Sequence, residues 1–109
     1  MDKVSLNKAI ENIADCFGYE DQSHQLVEEM AELTVAVNKL RRAGKSHVSK
    51  QADEKYQIAL DNVKEEIADV HIMLIQIIHL LDIPKEELEA MITFKVNRTK
   101  ERIAQLNNK

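Results

Sequence analysis

Val27-Glu28-Glu29-Met30-Ala31-Glu32-Leu33 and Val63-Lys64-Glu65-Glu66-Ile67-Ala68-Asp69-Val70 decide how this chain is expected to fold. Each stretch lies inside an apolar stripe of helical period. The upstream stripe is Leu26, Met30, Leu33, Val37 and Leu40; the downstream one is Leu60, Val63, Ile67, Val70, Leu74, Ile77 and Leu81. Apolar residues alternating at steps of three and four mark amphipathic helices. Each stretch also sets two carboxylates three residues apart, Glu29 with Glu32 and Glu66 with Asp69, so each pair shares one helix surface. At roughly 100° per residue, Glu29 and Glu32 fall about 60° and 120° to one side of their stripe. Glu66 and Asp69 fall about 70° and 130° from theirs in the same sense. Packed stripe to stripe and antiparallel, two such helices bring same-sense flanks to one face, and the four carboxylates converge. A parallel pair would send them to opposite faces.

Working outward, four helices are expected. The first runs from about Ser5 to Phe17, with Leu6, Ile10, Ile13 and Phe17 inward and Gly18 as its stop. The second runs from Asp21 or Ser23 to Ala43, with Gly44 after it. A polar segment, residues 45–51, precedes a third helix that begins near Ser49 to Asp53 and reaches Leu81. Pro84 opens the fourth, with Glu86 and Glu87 suited to the positive end of its dipole and fraying near Asn107. No Gly/Pro-rich linker interrupts residues 1–109, so one all-α domain is expected, a four-helix, mostly antiparallel bundle. A chain of 109 residues builds one modest core. Stripes of period near 3.5 leave apolar surface that a second copy would cover, so a homodimer or homotetramer is expected.

Composition narrows the function classes. Nineteen acidic against fifteen basic residues give a formal net charge of −4, which disfavours a stable grip on nucleic acid. No stretch is apolar enough for a membrane span, and residues 1–8 lack the apolar run of a signal peptide. Cys16 is the single cysteine; it cannot form an internal disulfide and reads as a small buried residue in a reducing, cytoplasmic protein. Four carboxylates make a cage of hard oxygen ligands, suited to Mg²⁺ or Mn²⁺. A di-iron bundle needs Glu-x-x-His, and neither stretch has a histidine there. Oxygen-only ligation directs the expectation to Mg²⁺ and phosphate chemistry.

Glu28-Glu29-x-x-Glu32 followed by Glu66-x-x-Asp69 resembles the signature of the MazG-like all-α nucleoside triphosphate pyrophosphohydrolases. The resemblance covers roughly residues 17–102, although the segment between Glu32 and Glu66 is longer than in typical members. It implies hydrolysis of a (deoxy)nucleoside triphosphate to monophosphate and pyrophosphate, in the service of clearing the nucleotide pool. It also implies Glu29, Glu32, Glu66 and Asp69 as the catalytic Mg²⁺ ligands. Glu28 and Glu65 stand as candidates for orienting water, and Lys95, Arg98, Arg102 and Asn97 on the last helix as substrate contacts. A rival reading is a non-catalytic helical oligomerisation or interaction module with a carboxylate-lined metal site. Two smaller expectations are that Lys39, Arg41, Arg42, Lys45 and Lys50 form a solvated basic run, and that His79 is exposed.

Overall fold

The structure, a computed structural model, describes residues 1–44 and 50–108, with side chains left undescribed at 50–52. Lys45 of the basic run and most of the expected polar connection lie outside the described residues. The described residues form three helices and no strand: α1 (Lys3–Ala43), α2 (Lys50–Leu80) and α3 (Lys85–Asn107). No helix among them is long and apolar enough to cross a membrane.

Three helices rather than four is a correction, and Gly18 is its cause. Helix resumes directly after Gly18, so the first two expected helices are one 41-residue element with a break. Gly18 itself is non-helical, at φ 86° and ψ 169°. That region is essentially closed to residues with a Cβ. A Cβ built there would meet nothing within 4 Å, so the penalty for a side chain lies wholly in the backbone. Gly18→Ala is therefore expected to lower stability by about 1–3 kcal/mol, read as an earlier midpoint in urea unfolding.

The helix ends follow local chemistry. Asp2 caps α1 by accepting from the Ser5 amide at 2.7 Å, and that hydrogen bond holds its carboxyl below the usual range. At the far end of α2, Asp82 takes a left-handed φ of 51°. Its amide donates to the His79 carbonyl at 3.1 Å, and the Ile83 amide donates to the Ile78 carbonyl at 3.1 Å. This is the 5→2 and 6→1 closure that usually falls to glycine. Pro84 then stands at the N-cap of α3, with Glu86 and Glu87 in its first turn.

α1 and α2 pack against each other as an antiparallel hairpin. Residues rising along α1 meet residues falling along α2: Asp15 pairs with His79, Gln22 with Gln76, and Glu29 with Glu66 and Asp69. The seam keeps Leu26, Leu33 and Leu40 of one expected stripe and Leu60, Val63, Val70 and Ile77 of the other, but is rotated away from the rest. On α1 the inward positions are Gln22, Leu26, Glu29, Leu33, Ala36 and Leu40; on α2 they include Val63, Glu66, Val70, Met73 and Ile77. Met30, Val37, Ile67, Leu74 and Leu81, expected inside, are each close to half exposed. Ala36, on the rotated seam, is 1% exposed, so a small side chain takes the inward place while Met30 and Val37 turn outward. In the N-terminal arm Ile10 and Ala14 are buried, whereas Leu6, Ile13 and Phe17 are exposed. Cys16, expected inside, is exposed as well; it lies two positions from Ala14, and two residues on a helix turn a side chain through about 200°.

The seam also carries a buried amide pair. Gln22 Nε2 donates to Gln76 Oε1 at 2.6 Å, with Gln76 only 2% exposed. Sliding either helix would leave both amides buried without partners, so the pair resists a change of register. α3 packs on neither α1 nor α2 among the described residues and buries none of its own.

Candidate metal centre

Helical spacing and the rotated seam together build the acidic site. Glu29 and Glu66 occupy seam positions, and Glu32 and Asp69 sit about 60° off the seam to the same side. One carboxylate oxygen from each of Glu29, Glu66 and Asp69 lies within 4.8 Å of the others. Glu29 and Glu66 are half-buried and Asp69 is exposed. Gln25, one turn before Glu29, donates from Nε2 to Glu29 Oε1 at 2.8 Å. That contact orients the carboxylate and leaves its second oxygen unengaged. Glu29 Oε2 and Glu66 Oε2 are both buried atoms without a hydrogen-bond partner. Orphaned buried acceptors in one acidic cluster are unfavourable unless a cation or proton joins them.

Glu66 carries the electrostatic consequence. Burial first, and then the negative charges of Glu32, Asp69 and Glu29, push its carboxyl above the ordinary glutamate range. Glu32 thus belongs to the same field, although it is exposed and its oxygens fall outside the tight triad. It lines a cleft of about 320 Å³ with Ala31, Val35, Asn62 and Glu66. The donor set is carboxylate only, which fits a hard divalent cation rather than a soft or redox metal.

The other expected residues are placed differently. Glu28 and Glu65 are exposed, Glu65 on the wall of a neighbouring cleft. Lys95, Asn97, Arg98 and Arg102 are exposed on α3, away from the carboxylates of their own chain. Arg98 lies over the Phe94 ring, 5.8 Å from its centroid. His79, expected to be exposed, is half-buried, with Nε2 2.9 Å from Asp15 Oδ1 and Nδ1 3.9 Å from Glu11 Oε1. It ties the N-terminal arm of α1 to the end of α2. Sequence reasoning missed Gln25 and Asn62, although each lies four residues before a carboxylate on the same helix face, Glu29 and Glu66 respectively. No family model matches the chain, and neither a curated protein nor a solved structure matches it.

Proposed function

We propose that this chain is a Mg²⁺-dependent nucleotide pyrophosphohydrolase that uses water to cleave a (deoxy)nucleoside triphosphate into a monophosphate and pyrophosphate. One observation carries the cation part of the reading: the orphaned oxygens Glu29 Oε2 and Glu66 Oε2 stand in a cluster completed by Asp69. The reaction itself comes from the resemblance of Glu28-Glu29-x-x-Glu32 and Glu66-x-x-Asp69 to the MazG-like signature. Glu29, Glu66 and Asp69 would hold Mg²⁺ (or Mn²⁺), with Glu32 beside Glu66 as the fourth ligand. When bound, such a cation polarises phosphoryl oxygens and strengthens water as a nucleophile. Gln25 keeps Glu29 in place by donating to Oε1, which would leave Oε2 available to a cation. Glu28 and Glu65 are the exposed carboxylates nearest in sequence for orienting the attacking water.

We also propose that the chain works as a homodimer or homotetramer in the cytoplasm. Supporting this, α3 has no packing partner among the described residues, and Met30, Val37, Ile67 and Leu74 remain uncovered there. Any contribution of Lys95, Asn97, Arg98 and Arg102 to the phosphates would then come from α3 of a second copy.

Chromatography of products from a panel of nucleoside and deoxynucleoside triphosphates tests the reaction. Monophosphate and pyrophosphate should appear in equal amounts, only with Mg²⁺ or Mn²⁺ present. Diphosphate with orthophosphate, or no turnover across the panel, overturns the assignment.

A further inference from the structure

Two lysines share one cleft on the face that carries the carboxylates. Lys39 of α1 and Lys55 of α2 line an opening of about 510 Å³ together with Ile58, Asp61, Asn62 and Glu65. Asn62 also lines the Glu32–Glu66 cleft, so the two clefts are neighbours that share one wall residue. Helical angle agrees: Lys39 and Lys55 lie within about 80° of the seam, on the side of Glu32 and Asp69. Along the hairpin, Lys39 stands two turns beyond Glu32, about 10 Å, and Lys55 three turns before Glu66, about 16 Å.

Neither lysine has a carboxylate within ion-pair distance among the described residues. Asp61, on the same wall, is engaged elsewhere: it accepts from Gln57 Nε2 at 2.9 Å and pairs with Lys64 at 3.6 Å. Glu65 lines the same cleft and is next to Glu66 in sequence. Its charge, with that of the cluster, disfavours a bare polyanion near the carboxylates and favours a cation complex of one.

From this arrangement we infer that Lys39 and Lys55 form the subsite for the terminal phosphates of the substrate, the part that departs as pyrophosphate. This rests on the pyrophosphohydrolase reading and fixes the direction in which the substrate lies. The cation-bound phosphates sit at Glu29, Glu66 and Asp69, the polyphosphate tail runs toward the α1–α2 connection, and the nucleoside lies on the Gln25 side. An ammonium recognises phosphate as a point charge, whereas a neutral nucleoside offers it little. These lysines therefore select for the length of the phosphate chain.

The test is calorimetric binding of inorganic tripolyphosphate and, separately, of Mg²⁺ alone. Wild-type protein should bind tripolyphosphate only with Mg²⁺ present. In the Lys39→Gln/Lys55→Gln protein that affinity should fall by roughly 10- to 100-fold, while Mg²⁺ binding and helical circular dichroism stay unchanged. Lys39→Arg/Lys55→Arg should restore most of it. In turnover, the Gln variant should raise KM for triphosphates with little change in kcat and lose discrimination against diphosphates. Undiminished tripolyphosphate affinity in the Gln variant refutes the subsite and leaves the metal centre standing. Absence of Mg²⁺ binding by the wild-type protein refutes the underlying reading and the subsite with it.

Discussion

Replacing Glu66 with Gln should abolish Mg²⁺ binding and reduce turnover by roughly 100-fold or more, while making the cation-free protein harder to unfold at neutral pH. The two effects have one origin. Glu66 sits half-buried on the helix seam with an orphaned Oε2, in the field of Glu32, Asp69 and Glu29. Its folded-state carboxyl titrates above the unfolded value of about 4.3, so the folded protein holds the proton more tightly. Stability from this group is complete below the unfolded value and is lost as pH rises through the higher folded value. Urea midpoints of chelator-treated wild-type protein should thus carry a component that declines across that window. The Glu66→Gln protein should lack that component. Mg²⁺ should raise the wild-type midpoint, because a ligand of the folded state stabilises it by mass action, and leave the variant unmoved. A Glu66→Gln protein that binds Mg²⁺ and turns over normally would remove the metal centre from the mechanism.

The acidic site was largely legible in the sequence because helical spacing is a strong constraint. Three-residue steps put Glu29 beside Glu32 and Glu66 beside Asp69, and antiparallel packing is the usual outcome for neighbouring helices without a long crossover between them. Convergence of Glu29, Glu66 and Asp69 follows from those two facts. The rotation of the seam was not legible. Met30 and Ile67 are larger and more apolar than the glutamates beside them, and a hydrophobic pattern assigns them inward. The rotated seam instead buries Ala36 and the Gln22–Gln76 pair. Small residues and paired amides are weak in a hydrophobicity pattern and strong in packing. Gly18 does break the helical path where the sequence places a stop, but helix resumes at once with no loop after it, so the two expected helices form one bent element. The cations of α3 depend on where that helix docks, and the spacing of Lys95, Arg98 and Arg102 says only that they share a face.

That docking leads to the second large effect. Sedimentation of the wild-type protein should give a dimer or tetramer, and Met91→Asp/Phe94→Asp should convert it to a monomer with reduced helicity. An isolated helix gains little from propensity alone and needs an apolar face buried by a neighbour. α3 has 23 residues and no such neighbour among the described residues. Met91, Ile92, Phe94, Val96, Ile103 and Leu106 are each more than half exposed on it. The hairpin offers the complementary deficit, since Met30, Val37, Ile67 and Leu74 are turned outward from the seam. Two uncovered apolar surfaces, on elements that do not meet among the described residues, would be satisfied together by a second copy in a closed, symmetric pair. Charges placed at Met91 and Phe94 would each have to be desolvated in that interface, which favours dissociation strongly over local adjustment. The α1–α2 seam is untouched by these substitutions, so the variant should still bind Mg²⁺ at Glu29, Glu66 and Asp69. Turnover separates the contributions further. If a second copy's Lys95, Arg98 and Arg102 reach the phosphates, the monomer should bind the cation and fail to hydrolyse; a monomer that hydrolyses at the wild-type rate would confine the whole active site to the α1–α2 hairpin.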